Sequence, residues 1–551
     1  MGGIEDVFTR KKIGAIALIN PQSPFLLEER VFAPLCLADI GAVLEDKGYS
    51  VELLDLAVDM ANPKDWRDET MRCARRNYNA FGITATSPQF MHAAEINRLI
   101  RKMKPAAHIV IGGAHPSMVS TLRKTKIAEW TRTDSSLKND SDKLNAMLYE
   151  FDPNFKPLEE FDFIYDGDGE SAVNYSMDPA FVRDHIEKTG SKWYTAPLVP
   201  KLDDLGLPAR HLFQMETYKY SISVDGRSTR AFNVMTQRGC PFGCEFCSGR
   251  DSQMYKQVRT RGTAHVIREL KHMQEVHGAE SFMFFDDEFN LNRARTIDLC
   301  QGMIELREQG VRYAWRAFIK SELFVKFPEI ATYMKNAGCV EVCTGVESGS
   351  AFILKHVIHK NTSPELNLRA REIAKEAGLR YKAFTMVGHA GETEEDAMDT
   401  LAWILEAKPD DFDVTVCTPY PGAPYYDRAV RDSGDVFVYN DSLDKSRDPK
   451  ASNAPRNSPK IDPKTNKERL VKLFFEKPDY STGQFFYKGV PGEYKSLVWT
   501  PGLSADKLVQ LREYIDSTAR EKFGMTMFSR PAGYDQSMGA PPARVFSKSA
   551  S

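Results

Sequence analysis

Two long stretches of this chain alternate short apolar runs with segments of helical period, and that alternation leaves few folds open. In the first stretch the runs are KKIGAIALIN (11–20), VELLDLA (51–57), AFGITAT (80–86), HIVIGGA (108–114) and FDFIYDGDGE (161–170). Helical patterns at 32–48, closing on Lys47-Gly48, and near 90–103 lie between them. In the second stretch the runs are AFNVMTQ (231–237), SFMFFDD (281–287), YAWRAFI (313–319), CVEVCTGVE (339–347), RYKAFTMVG (380–388) and DFDVTVCTPY (411–420). Helical patterns at 264–276, 293–308, 328–337, 364–377 and 394–407 separate these. Apolar runs too short for helices, spaced by helices of ten or more residues, make βαβ units with parallel strands. The fold class is therefore α/β. The five βα repeats of the first stretch predict a doubly wound, Rossmann-like open sheet, and the six strands of the second a partial (β/α)6 barrel.

Both architectures gather ligands beyond the C-terminal ends of their strands. One strand end stands out. Directly after 231–237 comes RGCPFGCEFCSGR, which holds Cys240, Cys244 and Cys247, while the other six of the nine cysteines are scattered. Gly239, Pro241 and Gly243 keep this backbone out of helix and strand. Nine cysteines in 551 residues are too few for a disulfide scaffold. The N-terminus, MGGIEDVFTRKK, has no apolar signal core, which predicts a cytoplasmic protein with reduced thiols. No run approaches eighteen consecutive apolar residues, so no transmembrane helix is expected. Three thiolates on one reduced loop suit a metal centre. A structural zinc takes four protein ligands; His265 is a candidate fourth, but it falls in a helical pattern and no second Cys-x-x-Cys follows. Iron–sulfur is the better match. Cys339 and Cys343, on a predicted buried strand, read as core thiols. With 73 basic and 76 acidic side chains, net −3, the composition argues against a nucleic-acid partner.

The Cys-x3-Cys-x2-Cys spacing, with Phe246 before the last cysteine, resembles the radical S-adenosylmethionine enzymes. The resemblance implies a [4Fe–4S] cluster held by Cys240, Cys244 and Cys247, its fourth iron left open for S-adenosylmethionine, as catalytic zinc keeps a position open. It further implies that the acidic end of the second strand, Asp286, Asp287 and Glu288, accepts the amino group of S-adenosylmethionine. Glu347 and Ser348 in GVESGS would contact ribose or carboxylate, and Met386 to Gly388 would lie beneath adenine, with Phe246 in the same set. The plainer role for such carboxylates is to cap the following helices. The family usually carries Gly-x-Pro-Gly-Glu-Thr after the fifth strand. Here GHAGET (388–393) departs at His389-Ala390, and His389 reads as a solvated loop histidine.

The strand ends of the first stretch are small and polar: TATSPQ, GGAHPS and YDGDGE. None makes a Gly-x-Gly-x-x-Gly, and no Gly-x4-Gly-Lys-Ser/Thr occurs. A sheet of this kind ahead of a radical domain resembles the cobalamin-binding domain of cobalamin-dependent radical S-adenosylmethionine enzymes. The matching residues are Pro34-Leu35, Thr86-Ser87, Gly112 to Ser117 and Asp166 to Glu170. The resemblance implies cobalamin against Thr86, Ser87, Gly112, Gly113, His115, Ser117, Asp166, Gly167, Gly169 and Glu170. No Asp-x-His-x-x-Gly is present, so a base-off, His-off cofactor is implied, with GGAHPS a backbone cradle. A sheet domain that has lost cobalamin is the alternative.

These readings divide the chain into a cobalamin-binding Rossmann-like domain (1–190), a linker (191–225), a radical core (226–430) and a flexible segment (431–470). A small α+β C-terminal cap (471–525) and a disordered tail (526–551) follow. Residues 118–160 read as a surface insertion. In the cap, Ser504 is the expected N-cap of a helix to about 522, and Phe485, Phe486, Tyr487 and Trp499 are expected to form its own core rather than a substrate pocket. The family resemblance implies a class B-like methyltransferase that methylates an unactivated carbon through a 5′-deoxyadenosyl radical. It would be fed by a one-electron reductant such as flavodoxin or ferredoxin. Cyclisation, oxidation or rearrangement without methyl transfer is the rival, and a non-catalytic cobalamin-binding sensor the third reading. A methylthiolating enzyme is disfavoured because Cys36 and Cys73 are too few for another cluster.

Overall fold

The computed structural model describes residues 14–23, 30–57, 64–224, 226–441, 460–462, 464–466, 468–479 and 494–525. Phe485, Phe486, Tyr487 and the tail 526–551 lie outside the described residues, as do 442–459 of the expected flexible segment. The chain forms two units, one of residues 1–23, 33–120 and 130–217, the other of 24–32, 121–129 and 218–551.

The first unit runs β1 (Ala15–Asn20), α1 (Leu35–Asp46), β2 (Ser50–Asp55), α2 (Trp66–Ala74), β3 (Ala80–Thr84), α3 (Phe90–Met103) and β4 (Ile109–Gly112). It continues with α4 (Ala114–Thr133), α5 (Ser141–Phe151), β5 (Phe163–Asp166), α6 (Gly169–Ser176), α7 (Pro179–Thr189) and β6 (Trp193–Thr195). The sheet is parallel throughout, in the order β2-β1-β3-β4-β5-β6. Ile16 to Ile19 and Ile109 to Ile111 are buried on consecutive positions because both sheet faces are covered, so their runs read as unbroken apolar segments. The sixth strand, β6, falls in the expected linker and is too short to show as an apolar run. Residues 118–160 are not a surface insertion: Met118, Leu122, Leu144, Leu148, Phe155 and Leu158 are buried. Their apolar positions stand at helical spacing among charges, which hides them in a composition count.

The second unit runs β7 (Ser221–Val224), β8 (Arg227–Val234), β9 (Gln237–Arg238), α8 (Gln253–Lys256), β10 (Arg259–Thr260), α9 (Thr263–His277), β11 (Ser281–Phe284) and α10 (Arg293–Glu308). Next come β12 (Ala314–Phe318), α11 (Ser321–Lys326), α12 (Glu329–Asn336), β13 (Cys339–Glu347), α13 (Pro364–Glu376), β14 (Arg380–Val387), α14 (Glu394–Ala407) and β15 (Asp411–Val416). Six parallel strands, in the order β15-β14-β13-β12-β11-β8, form a half-barrel, and β7 extends it as an antiparallel hairpin with β8.

The remaining elements are α15 (Pro424–Asp427), β16 (Val430–Ser433), β17 (Val436–Asn440), β18 (Lys460–Ile461), β19 (Glu468–Arg469), β20 (Lys472–Glu476), β21 (Val498–Trp499) and α16 (Ala505–Lys522). Residues 431–440, expected to open a flexible segment, instead fall in β16 and β17, two strands of an antiparallel sheet ordered β16-β17-β20-β21. Phe437 and Tyr439 are buried in it, and Trp499 stacks on Phe474 with ring centroids 6.0 Å apart, within that sheet. Ser504 caps α16 by accepting from the Lys507 N–H at 3.2 Å. The helix covers the β15 edge, where Arg512 donates to the Val414 carbonyl (3.1 Å) and Arg520 to that of Phe412 (2.8 Å). No helix among the described residues is long and apolar enough to cross a membrane.

Candidate active site

The cysteine loop follows β8. Antiparallel pairing of β9 with β10, Arg238 opposite Arg259 and Gln237 opposite Thr260, closes it at the base. Gly239 has φ +94°, and a Cβ there would stand 2.3 Å from the Gln257 carbonyl oxygen, so the turn requires glycine. Its N–H donates to Asp287 Oδ2 at 3.0 Å. The Cys240 N–H donates to the Tyr255 carbonyl (2.6 Å) and that of Cys247 to Cys244 (3.1 Å), which fixes the backbone around each thiol. Burial, and after it the carboxylates of Glu288 and Asp287, push the Cys240 thiol up to about 12. Thiols held protonated in this way ionise when a cation binds and reverses the local balance. Among the described residues no three His, Cys, Asp or Glu side chains close on a single metal ion. Three thiols distributed along one loop suit a cluster in which each iron takes one thiolate, and not a mononuclear zinc, which takes four donors on one ion.

The ends of β11, β12 and β13 carry charge. Asp286 is fully buried and accepts from the Thr236 N–H (2.5 Å), the Gln237 N–H (2.9 Å) and the Thr236 hydroxyl. Contrary to the expectation that it accepts a ligand's amino group, it is taken up in pinning the end of β8 to that of β11. Asp287 is exposed and faces the cysteine loop. Glu288 is half-buried, and desolvation pushes it up to about 7, with Lys320 and Lys360 pulling the other way. Glu347 has φ +63°, a conformation that costs a non-glycine residue about 1–3 kcal/mol. Its carboxylate pairs with Lys360 at 2.9 Å, and the same ammonium reaches the Gly345 carbonyl. Lys320 stands 2.9 Å from Glu322, with its Nζ 4.1 Å from the centre of the Phe242 ring. Both lysines favour the thiolate of Cys244. Ser348 does not open onto the site: it is fully buried, its hydroxyl accepts from the Ser350 N–H at 3.1 Å and it lies 3.4 Å from Thr400 Oγ1.

The loop after β14 corrects one expectation. His389 is not solvated but fully buried, and burial with Lys360 lowers its imidazole to about 3. Glu392 accepts from the backbone N–H groups of Gly388 and His389, which folds GHAGET inward. The Gly391 N–H donates to the Lys472 carbonyl (2.8 Å) and the Thr500 hydroxyl to that of Glu392 (2.8 Å), so C-terminal residues cover the turn. The His389 ring stands 5.8 Å from that of Phe246, bringing the cysteine loop and the β14 loop together. Met386 is half-buried and Gly388 buried beside them.

In the first unit the predicted residues converge on the C-terminal ends of β3, β4 and β5. Thr86 is exposed and forms a capping box with Gln89; Ser87 Oγ lies 3.0 Å from His115 Nδ1. The His115 ring is fully buried, stacks on Phe90 at 4.3 Å and has its pKa lowered to about 3 by burial. Ser117 donates to the Gly113 carbonyl (2.8 Å), Asp166 accepts from Ser120 (2.7 Å), and Asp168 accepts from the Val199 N–H (2.7 Å). Glu170 is buried in the first turn of α6. The glycines answer to packing: a Cβ at Gly112 would stand 2.2 Å from Tyr165, at Gly113 2.5 Å from Thr84, at Gly167 2.3 Å from Ala196 and at Gly169 2.7 Å from Ile40. At these strand ends the Thr86 hydroxyl donates to Gln89, the Ser87 hydroxyl meets His115, and the glycines carry no side chain. That suits a neutral cradle for a large ligand.

Sequence reasoning missed Lys320, Lys360 and Glu245. Lys320 was legible as the first polar residue past β12. Lys360 follows a π-helical turn (Ile353–Val357) with no periodic signal. Glu245 lies between two of the cysteines and is fully buried.

Residues 234–404 match the Radical SAM superfamily and residues 30–129 the B12 binding domain. An uncharacterized methyltransferase of Pyrococcus horikoshii is 26% identical over 423 residues, 76% of this chain and 84% of that protein. The anaerobic magnesium-protoporphyrin IX monomethyl ester cyclase of Rubrivivax gelatinosus is 23% identical over 360 residues, 65% of this chain and 59% of that one. Among solved structures, a radical S-adenosylmethionine methyltransferase of Kitasatospora setae, with cobalamin and a [4Fe–4S] cluster bound, superposes with a TM-score of 0.56. That likeness, at 17% identity over 92% of this chain and 99% of the other, is one of fold.

Proposed function

The chain belongs to the radical SAM superfamily and carries a B12-binding domain, and on that premise we propose that it is a cobalamin-dependent methyltransferase acting on an unactivated carbon. The observation that carries this reading is a three-thiol loop at a half-barrel strand end in the same chain as a B12-binding sheet. A [4Fe–4S] cluster supplies the electron that splits S-adenosylmethionine into methionine and a 5′-deoxyadenosyl radical, and cobalamin supplies the methyl group. Cys240, Cys244 and Cys247 would hold the cluster, with Lys320 and Lys360 offsetting its negative charge. Asp287 and Glu288 would take the amino group of S-adenosylmethionine, and Glu347 its ribose or carboxylate; the inward hydroxyl of Ser348 leaves Glu347 as the polar contact of that motif. Phe246, Met386 and Gly388 would give adenine an apolar seat. Thr86, Ser87, Gly112, Gly113, His115, Ser117, Asp166, Gly167, Gly169 and Glu170 would line cobalamin, mostly through backbone. The burial of His115 against Phe90 favours a His-off cofactor. A one-electron reductant such as flavodoxin or ferredoxin would serve the enzyme in the cytoplasm.

The test is anaerobic purification with iron and cobalt analysis, then turnover with methyl-labelled S-adenosylmethionine. Methyl transfer yields S-adenosylhomocysteine, 5′-deoxyadenosine and labelled product. Unlabelled product with 5′-deoxyadenosine would instead establish a radical cyclisation, oxidation or rearrangement, the reading that the likeness to a cyclase favours. An iron-loaded protein that leaves S-adenosylmethionine intact would be the cobalamin-binding sensor.

A further inference from the structure

Glu245 stands between Cys244 and Cys247 in the loop just described, and it is fully buried. A carboxylate that deep needs compensating partners. It has them from four places in the second unit. Oε1 lies 2.5 Å from Arg250 Nη1, within the same loop, and 2.9 Å from His359 Nδ1, just past the π-helical turn that follows β13. Oε2 lies 3.4 Å from Arg428 Nη1, just past α15, and 3.4 Å from the Tyr439 hydroxyl on β17. The main chain repeats the pattern: the Glu245 N–H donates to the Ile358 carbonyl at 3.2 Å, and its carbonyl accepts from the Tyr425 N–H at 3.4 Å. Arg428 also reaches Asp251, near the end of the cysteine loop, at 3.5 Å. His359 has φ +53°, an uncommon backbone conformation for a non-glycine residue, and it turns its ring toward this carboxylate.

We infer that Glu245 is a positioning residue for the cluster, bolting the cysteine loop to the segment after β13 and, through Arg428 and Tyr439, to α15 and the C-terminal sheet. The inference rests on the cluster assignment of the preceding section. A side chain one residue from a cysteine, held by groups from separate elements, fixes where the flanking thiols stand, as outer partners do for metal ligands generally. It also ties β17 to the site, since without Tyr439 and Arg428 the loop loses two of its anchors. The charge acts beside the geometry. Replacing the carboxylate by an amide removes a negative charge beside Cys244 and leaves the Arg250 and Arg428 guanidiniums without it, which would make a cluster held there easier to reduce.

The experiment reconstitutes the full-length protein anaerobically with iron and sulfide. It measures iron retained, the rate of iron loss to a chelator, the midpoint potential and the electron paramagnetic resonance signal of the reduced cluster. Circular dichroism reports folding. Outer-partner substitutions cost metal sites about 10- to 100-fold in affinity, so E245A is expected to lose iron faster by a factor in that range. E245Q is expected to retain more iron and to shift the midpoint potential upward, and E245D to restore part of the wild-type behaviour. Y439F, which removes one hydroxyl and keeps the ring, is expected to speed iron loss with the fold intact, so a collapse of E245A does not remove the test. Folded E245Q and Y439F proteins with wild-type iron retention, potential and resonance signal overturn the inference alone. A wild-type protein that retains no iron overturns the cluster assignment and the inference with it.

Discussion

The two units each end their parallel strands in polar residues, but they hold those ends by different means. At the ends of β1 to β3 the ties are neutral or singly charged: Asn20 donates to Asp55 (2.7 Å), and Gln89 donates to Asn20 (3.1 Å) and to the Pro21 carbonyl (2.8 Å). Thr86 donates to Gln89 at 2.9 Å. At the ends of β11 to β13 the ties are ionic and buried, Lys360 on Glu347 and Lys320 on Glu322, each at 2.9 Å. A cradle made of backbone for a large ligand needs no counter-charge. A loop of thiolates around iron would, and Lys320 and Lys360, which favour the Cys244 thiolate, would supply it. The difference separates the two sites chemically, and substitutions in one unit should leave the other unmoved.

The largest expected effect comes from removing the thiols. Cys247 is exposed, and Cys240 and Cys244 are half-buried, so replacing all three by alanine opens no large cavity. Iron should fall to background after reconstitution, read by iron assay and visible absorption, while cobalamin content stays at the wild-type level. Loss of cobalamin along with iron would break the independence of the two sites.

Next in size is Lys360→Met. Burial works against the Lys360 charge, but Glu347, Cys244 and Glu288 more than offset it and raise its pKa. Removing one partner of a buried pair costs about 3–5 kcal/mol, because the other charge stays behind. Here that charge is Glu347, already held at positive φ. Hydrogen exchange should rise across β13 and β14 and remain at its wild-type rate in β1 to β5; equal loosening in both units would count against the contrast.

How much of this was readable from sequence follows the range of the interactions. The helices 90–103, 293–308 and 394–407 run over the predicted residues; the first has a well-separated apolar face, and the latter two open on Asn292 and Thr393, whose side chains accept from backbone N–H groups. The strand β13 spans the predicted 339–347 for a similar reason: it is a continuous run bounded by Gly338 and Ser348. The short strands β6, β16 and β17 were not legible, since three to five residues carry no period and their pairing partners lie elsewhere in the chain. The same holds for the site. Three cysteines in one loop are a local signal, but His359 lies 114 residues from Glu245 and Tyr439 lies 194 away. Nothing in the neighbourhood of Glu245 announces it. His389 looked solvated because a loop with two glycines usually is, and only the cover from Lys472 and Thr500 buries it.

Acidification sharpens the contrast by an intermediate amount. His115 is lowered to about 3 by burial, so the folded first unit stays unprotonated while an unfolded chain takes up a proton near 6.5. Stability contributed by that neutral imidazole is whole above about pH 6.5 and falls as pH drops towards 3, by about 2 kcal/mol at pH 5. In the second unit His389, also lowered to about 3, acts with the same sign. Glu288 and Glu392 oppose it: desolvation pushes both up to about 7. Their folded forms hold protons that the unfolded chain takes up only near 4.5, so they add stability as pH falls from about 7 towards 4.5. Hydrogen exchange at pH 7 and pH 5, normalised to intrinsic rates, should therefore show the first unit loosening more than the second. His115→Gln should flatten the first unit's response, and an unchanged slope in that variant would place the pH sensitivity elsewhere.

The smallest effect belongs to the neutral tie itself. Gln89→Leu removes the amide that joins Asn20, the Pro21 carbonyl and Thr86. Each such bond contributes about 0.5–1.5 kcal/mol net. These groups lie at a strand end, and water can take over part of their bonding, so the expected loss is about 1 kcal/mol, well below that of Lys360→Met. The comparison of the two variants is direct, since each removes the side chain that gathers its own strand ends. A Gln89→Leu loss as large as that of Lys360→Met would mean that the first unit depends on its tip network as strongly as the second depends on its ions. The backbone-cradle account of its strand ends would then fail.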